Sequence, residues 1–318
     1  MEKLFYELIR VSVGQLDCLS RGPEPEEWYE LYDMARQQNV AGICYQGVQR
    51  LFEFGLRAPQ DLVIDWMSAA EAIQDSNAGM NARTLKVLRM LTDRGWQAGV
   101  LAGQGVARDY GDLAAYRHPD TIDIFSTCGR EALREFAKEV NEGACRQNYR
   151  SVRLELWDDV IVRLHDTVGV GRNPFKRQRI NQWMLKNQAL LFTDTDEMAR
   201  PSASLNVVLL LAEMYWHFLY RKLTVREMMD YYFTLKKVAA RGKKRANYDK
   251  VFHNLGLLHF AQAISWVMLE VFQMELDALV TEPVEGRGTF VIDEMMSGRR
   301  HLHRLLLKYP GEMLLALL

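Results

Sequence analysis

Residues 121–125, Thr-Ile-Asp-Ile-Phe, alternate in character over a span too short for a helix, and residues 160–165, Val-Ile-Val-Arg-Leu-His, form a second strand-like run. Successive side chains on a strand point to opposite faces. Thr121, Asp123 and Phe125 therefore share one face, and Ile122 and Ile124 the other. In the second run Ile161, Arg163 and His165 oppose Val160, Val162 and Leu164. These runs confine the chain to folds with a small sheet, packed on one side and carrying charged residues on the other.

The rest of the chain places that sheet among helices. Residues 98–101 are short and apolar, residues 129–140 read as an amphipathic helix, and residues 151–156 and 160–165 read as two strands joined by a tight turn at Trp157-Asp158-Asp159. Upstream, Pro23-Glu24-Pro25-Glu26-Glu27 opens a helix with proline and acid where the helix dipole favours them. Trp28, Leu31, Tyr32 and Ala35 then recur at helical spacing, and Asn39 is an end signal. Residues 61–94 predict a long helix with Met67, Ile73, Met80, Leu85, Val87, Leu88 and Leu91 along it and Gly95 as its cap. After the break at Gly169-Val170-Gly171-Arg172-Asn173-Pro174, the chain is nearly all helical from Ile180. Residues 204–220 and 225–238 are the clearest segments, and Arg241-Gly242-Lys243-Lys244-Arg245 is a polar connection. The expected class is α+β: a small mixed sheet flanked by an N-terminal helical arm and a C-terminal helical domain. The boundaries fall at residues 1–80, 81–172 and 173–318, with no internal repeat.

Composition narrows the function classes. With 40 Lys and Arg against 41 Asp and Glu, the net charge of −1 supplies no global field for nucleic acid or an anionic membrane, so any basic surface is local. The first residues lack the basic start and long apolar run of a signal peptide. Apolar stretches such as residues 207–212 are far too short to span a bilayer, so the expected location is the cytoplasm. Cys18, Cys44, Cys128 and Cys145 are widely spaced and read as reduced, mostly buried thiols. His301-Leu302-His303 and the basic stretch Arg299, Arg300, Arg304 and Lys308 read as a solvated face of a C-terminal helix packed through Leu302, Leu305, Leu306 and Leu307; a docking helix is the alternative.

In order and spacing, Leu101-Ala102-Gly103-Gln104-Gly105-Val106-Ala107, then Arg117 ahead of Thr121-Ile122-Asp123, then Arg163-Leu164-His165, resemble a nucleotidyltransferase of the polymerase-β superfamily. The resemblance is nearest to a bacterial family of uncharacterised nucleotidyltransferases. That family's pattern runs L-K-G-x-x-x-A, R-x-x-x-D-I-D and an I-E-L-H-like strand. Here Ala102 stands at the lysine, Thr121 at the first aspartate and Arg163 at the glutamate. Trp216-His217 and Thr224-Val225-Arg226-Glu227-Met228-Met229-Asp230 match a further H…x-R-x-x-x-D feature, so the likeness covers residues from about Trp28 to Asp230.

The resemblance implies transfer of a nucleoside phosphate with divalent metal neutralising the triphosphate. Mg²⁺ takes carboxylate oxygens, and a D-x-D strand with a third acid on its neighbour would cage it. In the family register Asp123 faces Thr121 and Arg163, a set that holds Mg²⁺ poorly, so no metal and no cofactor are expected. The implied ligand residues are Gly103, Gln104, Gly105, Arg117, Arg163 and Arg226, for a nucleotide or other phosphate, with Asp123 as a catalytic remnant. The expected groove is bordered by Gly103, Gln104, Asp123, Arg163 and Arg226. Arg117 reads equally as a surface arginine, and His217 reads as a satisfied core histidine. Arg226 reads as the partner of Asp230 one turn on.

Three functions compete. The first is an inactive descendant that binds a ligand or an unidentified protein partner, without membrane or general nucleic-acid binding. The second is an active Mg²⁺ enzyme using Asp123 with Asp120, and Glu155 or Asp166 as the missing acid. The third is a helical interaction protein whose resemblance misleads, which the absence of Asp123 and Arg163 from adjacent strands would establish.

Overall fold

The computed structural model describes residues 1–143, 145–169, 174–192, 198–242 and 246–297. Within these the chain is mixed α and β, with twelve α-helices and one four-stranded sheet. It divides into two compact units. The first comprises Met1–Ser76, Asp112–His118 and Met214–Leu318, and the second Asn77–Gly111 and Pro119–Glu213. Helices from both ends of the chain thus belong to the first unit. The chain passes between the two units at residues 76/77, 111/112, 118/119 and 213/214.

The first unit holds helices α1 (Glu2–Ser12), α2 (Pro25–Gln37), α3 (Ala41–Leu51) and the start of α4 (Gln60–Thr92). Pro25 is the first helical residue of α2, and Glu24 and Glu27 close a reciprocal capping box, which explains why the helix begins there. Trp28, Leu31 and Ala35 face its core, and Asn39 leaves the helix with φ +58°.

The second unit supplies the sheet: β1 (Ala98–Val100), the short helix α5 (Gln104–Ala107), β2 (Ile122–Ser126), α6 (Arg130–Val140), β3 (Val152–Leu154) and β4 (Val162–His165), then α7 (Pro174–Lys186). Strand order is β1-β2-β4-β3, with β2 and β4 parallel and both outer pairs antiparallel. Ile122, Ile124, Val162, Leu164, Val152 and Leu154 line the packed face with Leu88, Leu91, Leu133 and Phe136. Burying side chains of this size contributes about 1.5–3 kcal/mol each, which holds the strand parity in place. β3 and β4 pair antiparallel as expected, and Trp157–Asp159 lies in the connection between them, which at residues 155–161 is longer than a tight turn.

Helix α8 (Ala203–Tyr220) is divided between the units at residues 213/214. The first unit continues with α9 (Val225–Ala240), α10 (Ala246–Leu255), α11 (Leu258–Phe272) and α12 (Glu285–Met296). Thr224 and Glu227 form a second capping box at the start of α9. Gln38 ties α2 to this group, accepting from Val225 N at 3.1 Å and donating to Met295 O at 3.2 Å. Helix α7 begins before Ile180, at Pro174.

All four cysteines are free thiols; Cys44 is buried and the other three are half-buried. No helix among the described residues is long and apolar enough to cross a membrane. The His301–His303 pair, the basic stretch from Arg299 to Lys308, Val170–Asn173 and Lys243–Arg245 lie outside the described residues.

Candidate functional site

Strand parity puts Asp123 on the polar side of β2, and parallel pairing sets it directly opposite Arg163 on β4. The two residues do lie on adjacent strands of a central sheet, which removes the ground for the third function. Arg163 Nε donates to Asp123 Oδ1 and its Nη2 to Oδ2, both at 2.8 Å. His165, two residues along β4 and so on the same face, brings Nε2 to 2.6 Å from Oδ1. Thr121 Oγ1 donates to Oδ2 at 2.5 Å and accepts from Arg163 Nη2 at 2.5 Å. Asp123 is nearly buried, its side chain 12% exposed against 25% for Arg163.

Burial alone pushes the Asp123 carboxyl up. The Arg163 charge and the bonds from His165 and Arg163 outweigh it and hold the group well below the ordinary carboxylate range. The Arg163 guanidinium is correspondingly raised, its desolvation more than offset by Asp123.

This donor set does not fit a divalent metal. An ionised carboxylate offers about four lone-pair positions, and four donors, two from Arg163 and one each from His165 and Thr121, occupy those of Asp123. The acids that could substitute are engaged elsewhere: Asp166 pairs with Arg130, and Glu155 with Arg146 at 3.1 Å and Arg153 at 3.6 Å. Asp120 is exposed in the segment before β2. Among the described residues no three of His, Cys, Asp and Glu gather as a metal site.

The glycine loop lies beside the start of β2. Gly103 has φ +59°, and a Cβ there would lie 3.0 Å from Thr121 O; a Cβ on Gly105 would lie 2.8 Å from Val100 O. Both positions require glycine for conformation or close approach. Gln104 is buried and turned toward α4, its Nε2 within 3.0–3.3 Å of Asn81 Oδ1, Asn77 Oδ1 and Asn77 O. Arg200 anchors the loop from the far end of the unit, donating to Gly105 O at 2.6 Å and pairing with Asp109 at 2.9 Å. Nothing local in the sequence marks Arg200. His165 was marked by its shared parity with Arg163 and by its place in the strand that matches the resembled I-E-L-H-like pattern.

Of the five residues expected around a groove, Gly103, Gln104, Asp123 and Arg163 belong to the second unit and Arg226 to the first. Arg117, read as a phosphate ligand or a surface residue, is 1% exposed. Its Nε and Nη2 grip the two oxygens of Asp230 at 2.6 and 2.8 Å within the first unit. The surface reading therefore fails, because a bidentate ion pair compensates the burial of the charge. Arg226 Nη1 stands 3.5 Å from the same Asp230. His217 Nδ1 is hydrogen-bonded with Glu227, and its ring is largely buried.

Comparison with known proteins bears on the same elements. The model of a family described as uncharacterised nucleotidyltransferase matches residues 24–273. No curated protein and no solved structure matches the chain. The matched span takes in the glycine loop, the Asp123 strand, the Arg163 strand and the helices through α11, and the chain belongs to this uncharacterised nucleotidyltransferase family.

Proposed function

We propose that this chain keeps a polymerase-β-type nucleotidyltransferase scaffold but does not transfer nucleotides, and serves in the cytoplasm as a module binding a phosphate-bearing ligand or a protein partner. The observation that carries the reading is the saturation of Asp123 by Arg163, His165 and Thr121. A metal would have to displace a guanidinium held by two hydrogen bonds, and charge-assisted pairs of this kind are the strong ones. Ala102 adds to the case, since a methyl group stands where the family pattern carries a lysine beside the phosphates.

The test is nucleotidyl transfer from labelled ATP, GTP, CTP and UTP, with calorimetric titration of each nucleotide in Mg²⁺, in Mn²⁺ and in chelator. The expected result is no transfer and no affinity that depends on metal. Metal-dependent binding abolished by Asp123→Ala would overturn the reading in favour of an active enzyme that recruits Asp120, Glu155 or Asp166.

A further inference from the structure

Arg153 on β3 is the direct partner of Arg163 across the antiparallel β3–β4 pair. The amide of Arg153 points the other way, donating to Arg146 O at 2.8 Å. The two arginines are therefore a pair whose main chains exchange no hydrogen bond, the kind in which Cα atoms come within about 4.5 Å and side chains lie closest. Directly paired residues share a sheet face, and like charges placed so repel. Asp123 neutralises one guanidinium, on which the Glu213 and Asp120 charges also act. The other has Glu155 alone, 3.6 Å from Arg153 Nε, and Glu155 stands nearer to Arg146 at 3.1 Å. Arg163 spends Nε and Nη2 on Asp123 and Thr121, so its Nη1 has no partner among the described residues, and neither do Nη1 and Nη2 of Arg153. Both side chains reach solvent, at 25% and 42% exposure.

We propose that Arg153 and Arg163 form a metal-independent site for a phosphoryl anion, whose oxygens bridge the two guanidiniums. The planar guanidinium fork matches phosphoryl oxygens, and unlike a bound cation a chelator cannot remove it. Asp123 becomes a positioning residue, fixing the Arg163 plane through Nε and Nη2 and leaving Nη1 for the ligand. This inference rests on the reading above to the extent that Arg163 occupies the metal's place.

The test is calorimetric titration of the full chain with inorganic phosphate, pyrophosphate and ATP, all in chelator. Pyrophosphate is expected to bind wild type without metal. Arg153→Ala and Arg163→Lys are each expected to weaken it about tenfold or more, as loss of charge-assisted bonds predicts. Arg134→Ala, on α6 across the packed face, should change it by no more than about twofold, as for an exposed pair. Arg153 is half-exposed, so its variant should fold, and circular dichroism with a thermal melt checks this; Arg153→Lys gives an intermediate affinity. ATP binding no tighter than pyrophosphate marks a site for the phosphoryl group, and tighter ATP binding marks a nucleotide as its source. Absence of pyrophosphate binding at millimolar concentration, or equal losses in the Arg134 and Arg153 variants, overturns the site while leaving the absence of transfer untouched. Binding that requires Mg²⁺ overturns both.

Discussion

Arg163 and Asp123 stand directly opposite one another on parallel neighbouring strands, and two hydrogen bonds of 2.8 Å join the guanidinium to both carboxylate oxygens. A carboxylate so nearly buried needs a compensating charge, because desolvating it alone is costly. The Arg163 guanidinium supplies that charge here. The consequences are measurable in the folded protein without knowledge of any ligand.

Arg163→Ala removes the largest compensating charge but leaves the donors of His165 and Thr121. Breaking a buried pair costs about 3–5 kcal/mol. With Arg163 a quarter exposed and two donors remaining, a loss of about 2–3 kcal/mol is expected in urea unfolding. A loss too small to measure would mean that the pair does not hold the strands in solution.

Arg163→Glu sets two carboxylates face to face across β2 and β4, where a proton or a divalent cation relieves the repulsion. The melting temperature should fall, and Mn²⁺ or Mg²⁺ should restore part of the loss while leaving wild type unchanged. A variant that melts like wild type with and without metal contradicts the geometry.

Acid stability should depend on Asp123. Its folded-state carboxyl lies below the unfolded value, so as pH drops the unfolded chain takes up the proton first. The Asp123 contribution is fully present above the ordinary value of about 4 and is lost as pH falls below it toward the folded value. Asp123→Asn should cost stability at neutral pH, and the gap to wild type should narrow at about pH 3. Urea titrations at the two pH values measure this, and a constant gap would contradict the linkage.

The Arg117–Asp230 pair is more deeply buried, with side chains 1% and 5% exposed. Arg117→Ala should destabilise the protein by about 3–5 kcal/mol. A double-mutant cycle with Asp230→Asn should show strong coupling; additive effects would mean the pair carries little of the cost.

Gly105→Ala presses a methyl group against Val100 O, where the Cβ distance is 2.8 Å and the obstacle is backbone. The expected loss is about 1–3 kcal/mol by thermal melt, in the range for local strain and overpacking. Gly55→Ala is a useful comparison: nothing crowds its Cβ, so its cost comes from φ +77° alone.

Local features were legible in the sequence because their causes are local. The alternation of residues 121–125 determined which side chains of β2 share a face, and proline with glutamate determined where α2 begins, since parity and capping act within a few residues. Strand ends shifted by a residue or two, because pairing with a neighbour, which no single run contains, decides where a strand stops. Tertiary structure alone decided the rest. It set Arg163 opposite Asp123 and brought His165 onto the same oxygen. It buried Arg117 against Asp230, 113 positions away, and drew Arg200 onto Gly105. It also joined the N-terminal and C-terminal helices into one unit. A charge can be buried only where a partner arrives, and which partner arrives depends on how distant segments pack.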